Sequence, residues 1–513
     1  MSEDQATSAI QPKKQKQTEP PSVSERIKAR QTRTDSLKRF LQEPDANRAL
    51  FIWLTELSSG SSQYQNGQLQ DFISCQIAAI DEKINDLLNA ILHHPRFQQL
   101  ESSWRGLWTL VDQSGQSRMT RVRLLDISWR EVSKDIERAP DITQTTLFRL
   151  IYNEEFGMAG GEPYGILLGD YQVAHRSYPG HPYDDITTLQ GLSQVAAASF
   201  APFVCGAAPE LFGLDSFDEL GMPLNISNLF QQQEYIRWQS LRQSEDSRFL
   251  AITLPEVLCR EPWDKTITLP RQDSLNFKEN SREKGLSGYL WANACYAFGC
   301  NLLREFGDVG WFAHIKGVPR DYLGGGLVTC YQSQDYSTDS QGTAHKILTP
   351  VLITDTIERE LSDLGLIALS HCHDTPYAAF HSCPSLHLSK KYKSKSATSN
   401  DRISGMLQQV LSASRFAHYI KIMIREKVGQ FITAKECERY LQEWLNKYCT
   451  GREDLKWEML ARYPLREARV EVREQPGSAG AYHSTIYLRP HYSADHLVSE
   501  LRLTTELASL NNH

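Results

Sequence analysis

At 513 residues, 40% hydrophobic and 23% charged, the chain has ordinary globular composition and the length for two or three domains with cores of their own. Lysine and arginine number 55 against 62 aspartates and glutamates, so a formal net charge of -7 leaves no electrostatic footprint for nucleic acid or an anionic membrane surface. The longest charge-poor stretch, Val195 to Pro209, is interrupted by Pro202 and Pro209 and is too short to cross a bilayer, and no apolar run before Ser22 could serve as a signal-peptide core, so a cytoplasmic location is expected.

Residues 1–21 are polar and proline-rich, with Lys13, Lys14 and Lys16 close together, and are expected to form a disordered tail. Residues 22–46 follow as a mostly solvated helix or helix pair behind a Ser24 cap, with Val23, Ile27, Leu37, Phe40 and Leu41 its only apolar anchors and Pro44 its stop. A helical region then spans 47–121. Leu50, Trp53, Leu54 and Leu57 form one stripe. Phe72, Ile73, Ile77, Ile80, Ile84, Leu87, Leu88 and Ile91 form a second, broken at His93-His94-Pro95, and Gln98 to Leu110 adds Leu100, Trp104, Leu107 and Trp108, with Val111 just beyond. So long an apolar lead-in needs a partner surface.

Residues 122–440 read as a mixed α/β core. Val122 to Ile127 has a strand pattern, Trp129 to Tyr152 is helical, and Tyr164 to Asp170 reads as a buried strand after a Gly160-Gly161 turn. Helices are expected at Leu189 to Phe200 and Asn228 to Ser240, and an apolar strand, Phe249 to Leu254, stops at Pro255. Tyr289 to Glu305 reads as a buried helix, Thr356 to Leu364 as an amphipathic one, Ser389 to Asn400 as a polar loop and Arg402 to Lys427 as a long helix. On that last helix Arg415, Lys421, Arg425 and Lys427 form either a basic docking face or a solvated face opposite Met406, Leu407, Val410, Leu411 and Met423. No period of about 20–50 residues recurs, which excludes solenoids and propellers.

Residues 441–513 hold the clearest pattern. Ala468, Val470 and Val472 alternate with Arg469, Glu471 and Arg473, and after a Pro476-Gly477 turn Tyr482, Ile486 and Leu488 alternate with His483, Thr485 and Tyr487. An isolated hairpin is unstable in water, so it needs a packed partner or further strands; a third alternating run lies at Leu497 to Leu503. A free edge on these strands would be a template for a strand of another chain, which points to assembly rather than catalysis.

Chemistry is hard to place. The ten cysteines form no C-x-x-C pair and read as buried free thiols. His371, Cys372, His373, Asp374, His381, Cys383 and His387 are the densest metal-capable cluster, yet their spacings are not those of zinc sites, so no metal or other cofactor is expected. Gly324-Gly325-Gly326 and Gly160-Gly161 extend to no phosphate-binding motif, and Gly285-Leu286-Ser287-Gly288 only approximates a nucleophile elbow. Asp184-Asp185 and Glu154-Glu155 are adjacent pairs whose side chains diverge. Trp104, Trp108, Trp129, Trp238 and Trp291 lie in apolar patterns and are expected to pack in the core. No catalytic residue is assigned.

Several long segments resemble one family. RFQQLESSWRGLWTLV from Arg96, GGEPYGILLGDY from Gly160, ISNLFQQQEYIRWQSLRQSEDSRFLAITLPEVL from Ile226, YLWANACYAFG from Tyr289, RISGMLQQVLSASRFAHYIK from Arg402 and the C-terminal hairpin resemble, in order, the large subunit of the type VI secretion contractile sheath, the TssC/VipB family. The resemblance runs from about residue 47 to 505. It implies a non-enzymatic structural protein that pairs with a small sheath subunit (TssB/VipA), joins other sheath heterodimers in a helical polymer on a baseplate, and surrounds an inner Hcp tube that contraction expels.

The same resemblance assigns inter-subunit strand exchange to Arg469, Val470, Glu471, Val472, Arg473, Thr485 and Tyr487, and small-subunit pairing to the helices carrying Trp53, Leu57, Ile77, Ile84 and Leu88. It implies unfoldase (ClpV) recognition near Val23 and Ile27, although SVSERIKARQTRT lacks the fuller apolar stripe a groove binder wants. Arg415, Lys421 and Arg425 become candidates for tube contact. The expected fold is mixed α/β, with a helical lead-in, a mixed-sheet core and a C-terminal hairpin sheet completed by strands of neighbouring subunits. Two other readings remain: an α/β enzyme or metal-binding protein using the His371 to His387 loop, and a sheath subunit of another contractile tail.

Overall fold

The computed structural model describes residues 34–57, 66–117, 119–264, 275, 277–319, 323–333, 346–390, 392–426, 434–452, 457–474 and 482–491. The expected N-terminal tail, Val23, Ile27, Lys427, the Pro476-Gly477 turn and the Leu497 to Leu503 run lie outside these residues. The chain falls into two compact units, Met1–Leu87 with Asp273–Asn276 and Leu88–Gln272 with Phe277–His513.

In the first unit a helix over 34–42 ends before Pro44. Asp45 then caps a second helix, Ala46–Ile52, by accepting from the Asn47 N–H at 3.1 Å. The Phe40 and Trp53 rings meet at 5.2 Å between centroids. The long helix Asn66–Leu92 follows, and the predicted break after it is real: the next helix, Pro95–Gly115, starts with proline in its first turn, where the missing N–H costs nothing, and His94 Nδ1 accepts from the Arg96 N–H.

The second unit is built on β1 (Leu167–Val173), β2 (Phe203–Ala207), β3 (Leu250–Leu254), β4 (Val257–Arg260), β5 (Leu290–Ala292), β6 (Leu327–Val328), β7 (Leu366–His371), β8 (Ala378–Phe380), β9 (Leu465–Glu474) and β10 (Tyr482–Pro490). Six of these form one mixed sheet in the order β1-β2-β3-β7-β8-β6. Its β1, β2, β3 and β7 run parallel, and β8 is antiparallel to both neighbours. Strand side chains alternate between two cores. Cys205, Ile252 and Ala368 pack on one face with the helix Asp185–Ser199, while Val204, Ala251 and Ile367 pack on the other with the helix Ala294–Val309. Burial on both faces explains the apolar run that marked β3 in the sequence; β2 and β7, buried likewise, were not read as strands.

Several boundaries differ from the sequence reading. Val122 to Ile127 forms no strand and joins no sheet among the described residues. The Trp129 to Tyr152 helix is interrupted at Pro140, leaving Trp129–Arg138, a short turn Thr146–Phe148 and a π-helical segment Arg149–Gly157. Asn228 to Ser240 splits into Ile226–Leu229 and Ile236–Gln243. Leu290–Ala292 pairs with β4, so the helix after it begins at Ala294, where Asn293 accepts from the Cys295 N–H at 3.0 Å. Ser389 to Asn400 is not all loop, because Lys395–Ser404 is helical, and the long helix is Leu407–Glu426, separated from it at Gly405-Met406.

A third apolar cluster joins Phe416 and Ile420 of the long helix, Cys437, Leu441 and Leu445 of the helix Ala434–Asn446, and Leu465, Ala468, Val470 and Val472 of β9. This is where the hairpin finds the packed support it needs.

Candidate assembly surfaces

β9 and β10 form a two-stranded antiparallel sheet in which Arg469 faces Tyr487, Glu471 faces Thr485 and Arg473 faces His483. Ala468, Val470 and Val472 point into the core with Ile486 and Leu488 packed beside them, while Arg469, Thr485 and Tyr487 are exposed, as the alternation predicted. Arg469 and Glu471 lie on one side of the strand, 3.0 Å apart, and Arg489 reaches Glu467 across the pair at 3.5 Å.

The outer edge of β9 is occupied from within the chain. Gln442 Nε2 donates to the Ala468 carbonyl at 2.8 Å, Gln442 Oε1 accepts from the Val470 N–H at 3.0 Å, and Glu438 accepts from the Val472 N–H at 3.2 Å. In an antiparallel ladder the backbone groups of successive residues point to opposite sides. Residues 468, 470 and 472 therefore turn away from β10, and their opposite numbers Leu488, Ile486 and Ser484 turn away from β9. Those three present their N–H and C=O groups on the far edge of β10, where no strand pairs among the described residues. The resemblance named residues of both strands for exchange; among the described residues the far edge of β10 is the one without a strand. Gln442 and Glu438 were missed, since two polar residues beside a Cys437, Leu441, Leu445 stripe look like a solvated flank.

The helical lead-in shows unpaired apolar surface. Ile77 and Ile84 are each 39% exposed on the helix Asn66–Leu92, Leu88 is half-buried, and Trp53 is half-buried against Phe40. Leu57 closes the π-helical turn Trp53–Leu57. On Pro95–Gly115 one face packs inward at Gly106, Leu110 and Ser114. A Cβ at Gly106 would stand 2.5 Å from the Tyr296 ring, so only glycine allows that approach to the helix Ala294–Val309. The opposite face carries Phe97, Leu100, Trp104, Trp108 and Val111, all exposed, with Trp104 at 60% and Trp108 at 68%. The expectation that Trp104 and Trp108 pack in the core is thus corrected, whereas Trp129 and Trp238 are buried. The helix is amphipathic about two apolar faces, and the sequence does not say which is inward.

Charged groups fix this helix to the unit. Arg260, largely buried, reaches Glu101 at 2.7 Å and Glu279 at 2.6 Å, and Arg105 reaches Glu101 at 2.8 Å. Burial alone would raise the Glu101 pKa, but hydrogen bonds and charge from Arg260 and Arg105 outweigh it and hold the carboxyl below the ordinary range. Asn89 is buried and bonds both ways, to the Lys278 carbonyl at 3.1 Å and from the Asn280 N–H at 2.9 Å.

The cations of the long helix are committed inside the chain. Arg425 donates to the carbonyls of Met158 at 2.7 Å, Phe156 at 3.0 Å and Gly157 at 3.3 Å, closing the carbonyl end of the π-helical segment. Lys421 Nζ sits 3.3 Å from the Phe156 ring centroid, and Arg415 stacks on Tyr419 and Phe306. Each of these three half-buried side chains thus already has partners within the chain.

The residues of the His371 to His387 stretch diverge. His373 is almost wholly exposed, Cys383 is buried with its thiol toward the Ile315 carbonyl, and His387 Nδ1 lies 3.0 Å from the Ser244 carbonyl. No group of three or more His, Cys, Asp or Glu side chains among the described residues is placed to hold a metal ion.

The family model described as EvpB/VC_A0108, tail sheath N-terminal domain, matches residues 74–387, and that described as EvpB/VC_A0108, tail sheath gpW/gp25-like domain, matches residues 396–507. The chain is 37% identical over 436 residues to the type VI secretion system sheath protein TssC1 of Pseudomonas aeruginosa, covering 84% of this chain and 85% of that relative. A solved structure, the six-fold symmetrised cryo-EM structure of the anti-feeding prophage baseplate, is similar at 11% identity and a TM-score of 0.33 over 74% of this chain and 87% of that one, a likeness on which nothing below rests.

Proposed function

The chain belongs to the TssC/VipB family of type VI secretion tail sheath proteins, and on that premise we propose that it is the large sheath subunit, pairing with the small sheath subunit and polymerising helically around an Hcp tube that contraction drives out. The observation that carries the reading is the far edge of β10, which no strand pairs among the described residues, on a hairpin anchored to its own core. A neighbouring subunit completes that edge with a strand, so each subunit is tied to the next by backbone bonds. Such a contact is heterologous and does not close, which generates a helix. The exposed apolar residues of the lead-in, Ile77 and Ile84 among them, suit a permanent partner, because obligate interfaces resemble a core cut in half.

In this account the extended lattice is metastable, and contraction lets subunits rotate and slide into tighter contacts while the exchanged strands keep them joined. The chain works in the cytoplasm, on a baseplate, without a cofactor and without catalysing a reaction. A tube contact through Arg415, Lys421 or Arg425 would have to displace bonds that those side chains already make. Recycling by ClpV through Val23 and Ile27 is expected to be weak, given their sparse apolar stripe. Co-expression with the small subunit followed by electron microscopy tests the reading: hollow tubes support it, and a soluble, monomeric, cooperatively melting chain without that partner contradicts it.

A further inference from the structure

Two cysteines meet where the helix Ala294–Val309 packs on the end of β6. Asn301 Nδ2 donates to the Gly326 carbonyl at 2.9 Å, and the Arg304 guanidinium donates to the carbonyls of Gly325 at 2.6 Å and Leu327 at 2.7 Å and to Thr329 Oγ1 at 3.1 Å. These bonds hold one face of the helix against the chain leaving β6. Cys300, one turn before Arg304 on that helix, and Cys330 therefore share an apolar cluster. Their thiols lie within hydrogen-bonding reach of each other, and both are free.

The two differ in access. Cys300 is buried and Cys330 half-buried. With Arg304 and Thr329, Cys330 lines a cavity of about 450 Å³ whose wall also carries Trp108, Asp112 and Asp308, all exposed, so the cavity reaches water. A partly exposed thiol beside a cation is the setting in which cysteines react, whereas thiols sealed in apolar surroundings are inert. The sulfur of Cys330, and after it burial, push the Cys300 thiol above its usual range, so Cys300 stays protonated while Cys330 meets a reagent first. Other thiols lack such a neighbour or such access. Cys205 and Cys295 are wholly buried, Cys383 turns to the Ile315 carbonyl at 3.6 Å and Cys449 to the Leu445 carbonyl at 3.3 Å.

We propose that Cys330 and Cys300 are a peroxide-oxidised pair that closes an intrachain disulfide between the helix Ala294–Val309 and the end of β6. The Cys330 sulfur attacks the O–O bond of a hydroperoxide and gains one oxygen as a sulfenic acid, while the other oxygen leaves with the thiol proton as water or an alcohol. The Cys300 sulfur then displaces the hydroxyl, which departs with the Cys300 proton as water, and the S–S bond forms. Two thiols are oxidised and one peroxide is reduced. The bridge acts on a weak point, because β6 is a two-residue edge strand that pairs through Leu327 and Val328 with Ala379 and Ala378 of β8. The helix that it would be tied to also reaches the opposite edge of the sheet, where the Cys295 thiol meets the Gly169 carbonyl of β1 at 3.6 Å. In a reducing compartment such a bridge is transient and marks a redox sensor.

Peptide mapping of the full chain as purified, after brief exposure to hydrogen peroxide and alkylation of the remaining thiols in denaturant, tests this. A linked Cys300–Cys330 peptide, abolished by dithiothreitol, is expected, with Cys205 and Cys295 still free thiols in the same digest. Full alkylation of Cys300 and Cys330, a bridge from Cys330 to Cys259, or oxidation spread evenly over all the cysteines would each overturn the proposal. Cys300→Ser separates the two roles. Cys330 should then halt at the sulfenic acid and give about tenfold more dimedone adduct than in the unaltered chain; equal adduct in both would show that Cys300 resolves nothing. Should that variant fail to fold, the map of the unaltered chain still decides.

Discussion

Gln442 accepts the Val470 N–H at 3.0 Å through its amide oxygen, while its amide nitrogen donates to the Ala468 carbonyl at 2.8 Å, so one side chain closes two outward-facing groups of β9. An edge closed in this way cannot also receive a strand, which makes β10 the edge proposed for assembly. Replacing Gln442 with leucine leaves both groups without their partner. Each is expected to cost about 1–3 kcal/mol where water cannot substitute, and urea denaturation of the co-purified sheath pair should show the loss. The bared edge should also promote disordered aggregates at the expense of tubes.

On β10 the consequence is positional. Ile486 turns its N–H away from β9, whereas Tyr487 turns its N–H toward Arg469. Ile486→Pro should leave the hairpin paired and the sheath heterodimer folded, yet abolish or shorten tubes seen by electron microscopy. Tyr487→Pro removes a ladder bond inside the hairpin and should lower the heterodimer's thermal midpoint. If the two variants behave alike, the assignment of edges is wrong.

Arg425 should matter for stability before it matters for anything outside the chain. Its guanidinium holds the carbonyls of Phe156, Gly157 and Met158 together. Arg425→Met should cost about 1.5–3 kcal/mol, read by thermal melting of the heterodimer. Arg425→Lys should recover only part of that loss, because an ammonium cannot fork across three carbonyls.

His418 sets a pH dependence. It is 1% exposed, with Nε2 at 2.9 Å from the Ser199 carbonyl, and burial, followed by the charges of Arg415 and Lys421, lowers its pKa to about 4 even though the Ser199 carbonyl acts to raise it. The folded state keeps the ring neutral where the unfolded chain, at an ordinary pKa of about 6.5, binds a proton. Stability is therefore unaffected above that ordinary value and falls as pH drops from there toward 4, by up to roughly 1.4 kcal/mol per pH unit. His418→Gln should flatten this part of a stability-against-pH curve measured by denaturation. An unchanged slope would show that other groups set it.

The sequence made the hairpin legible because Ala468, Val470 and Val472 alternate with charged residues at a period only a strand explains. Of the parallel strands, β3 was visible as an apolar run because both of its faces are buried, and part of β1 was read in Tyr164 to Asp170, whereas β2 and β7, buried likewise, were not read as strands. Edge choice was not legible. Gln442 and Glu438 reach β9 only through the packing of a helix against a strand more than twenty residues away. Trp104 and Trp108 misled because an aromatic stripe awaiting a partner has the same spacing as one facing a core. Val122 to Ile127 has a strand's sequence with no strand beside it in the described chain.

A residue-resolved cryo-EM map of tubes formed by this chain with its small sheath partner bears most directly on the central claim. The far edge of β10 should be bonded through Ser484, Ile486 and Leu488 to a strand from a neighbouring subunit. Tubes in which that edge is completed by the same chain, or left to solvent, would contradict it.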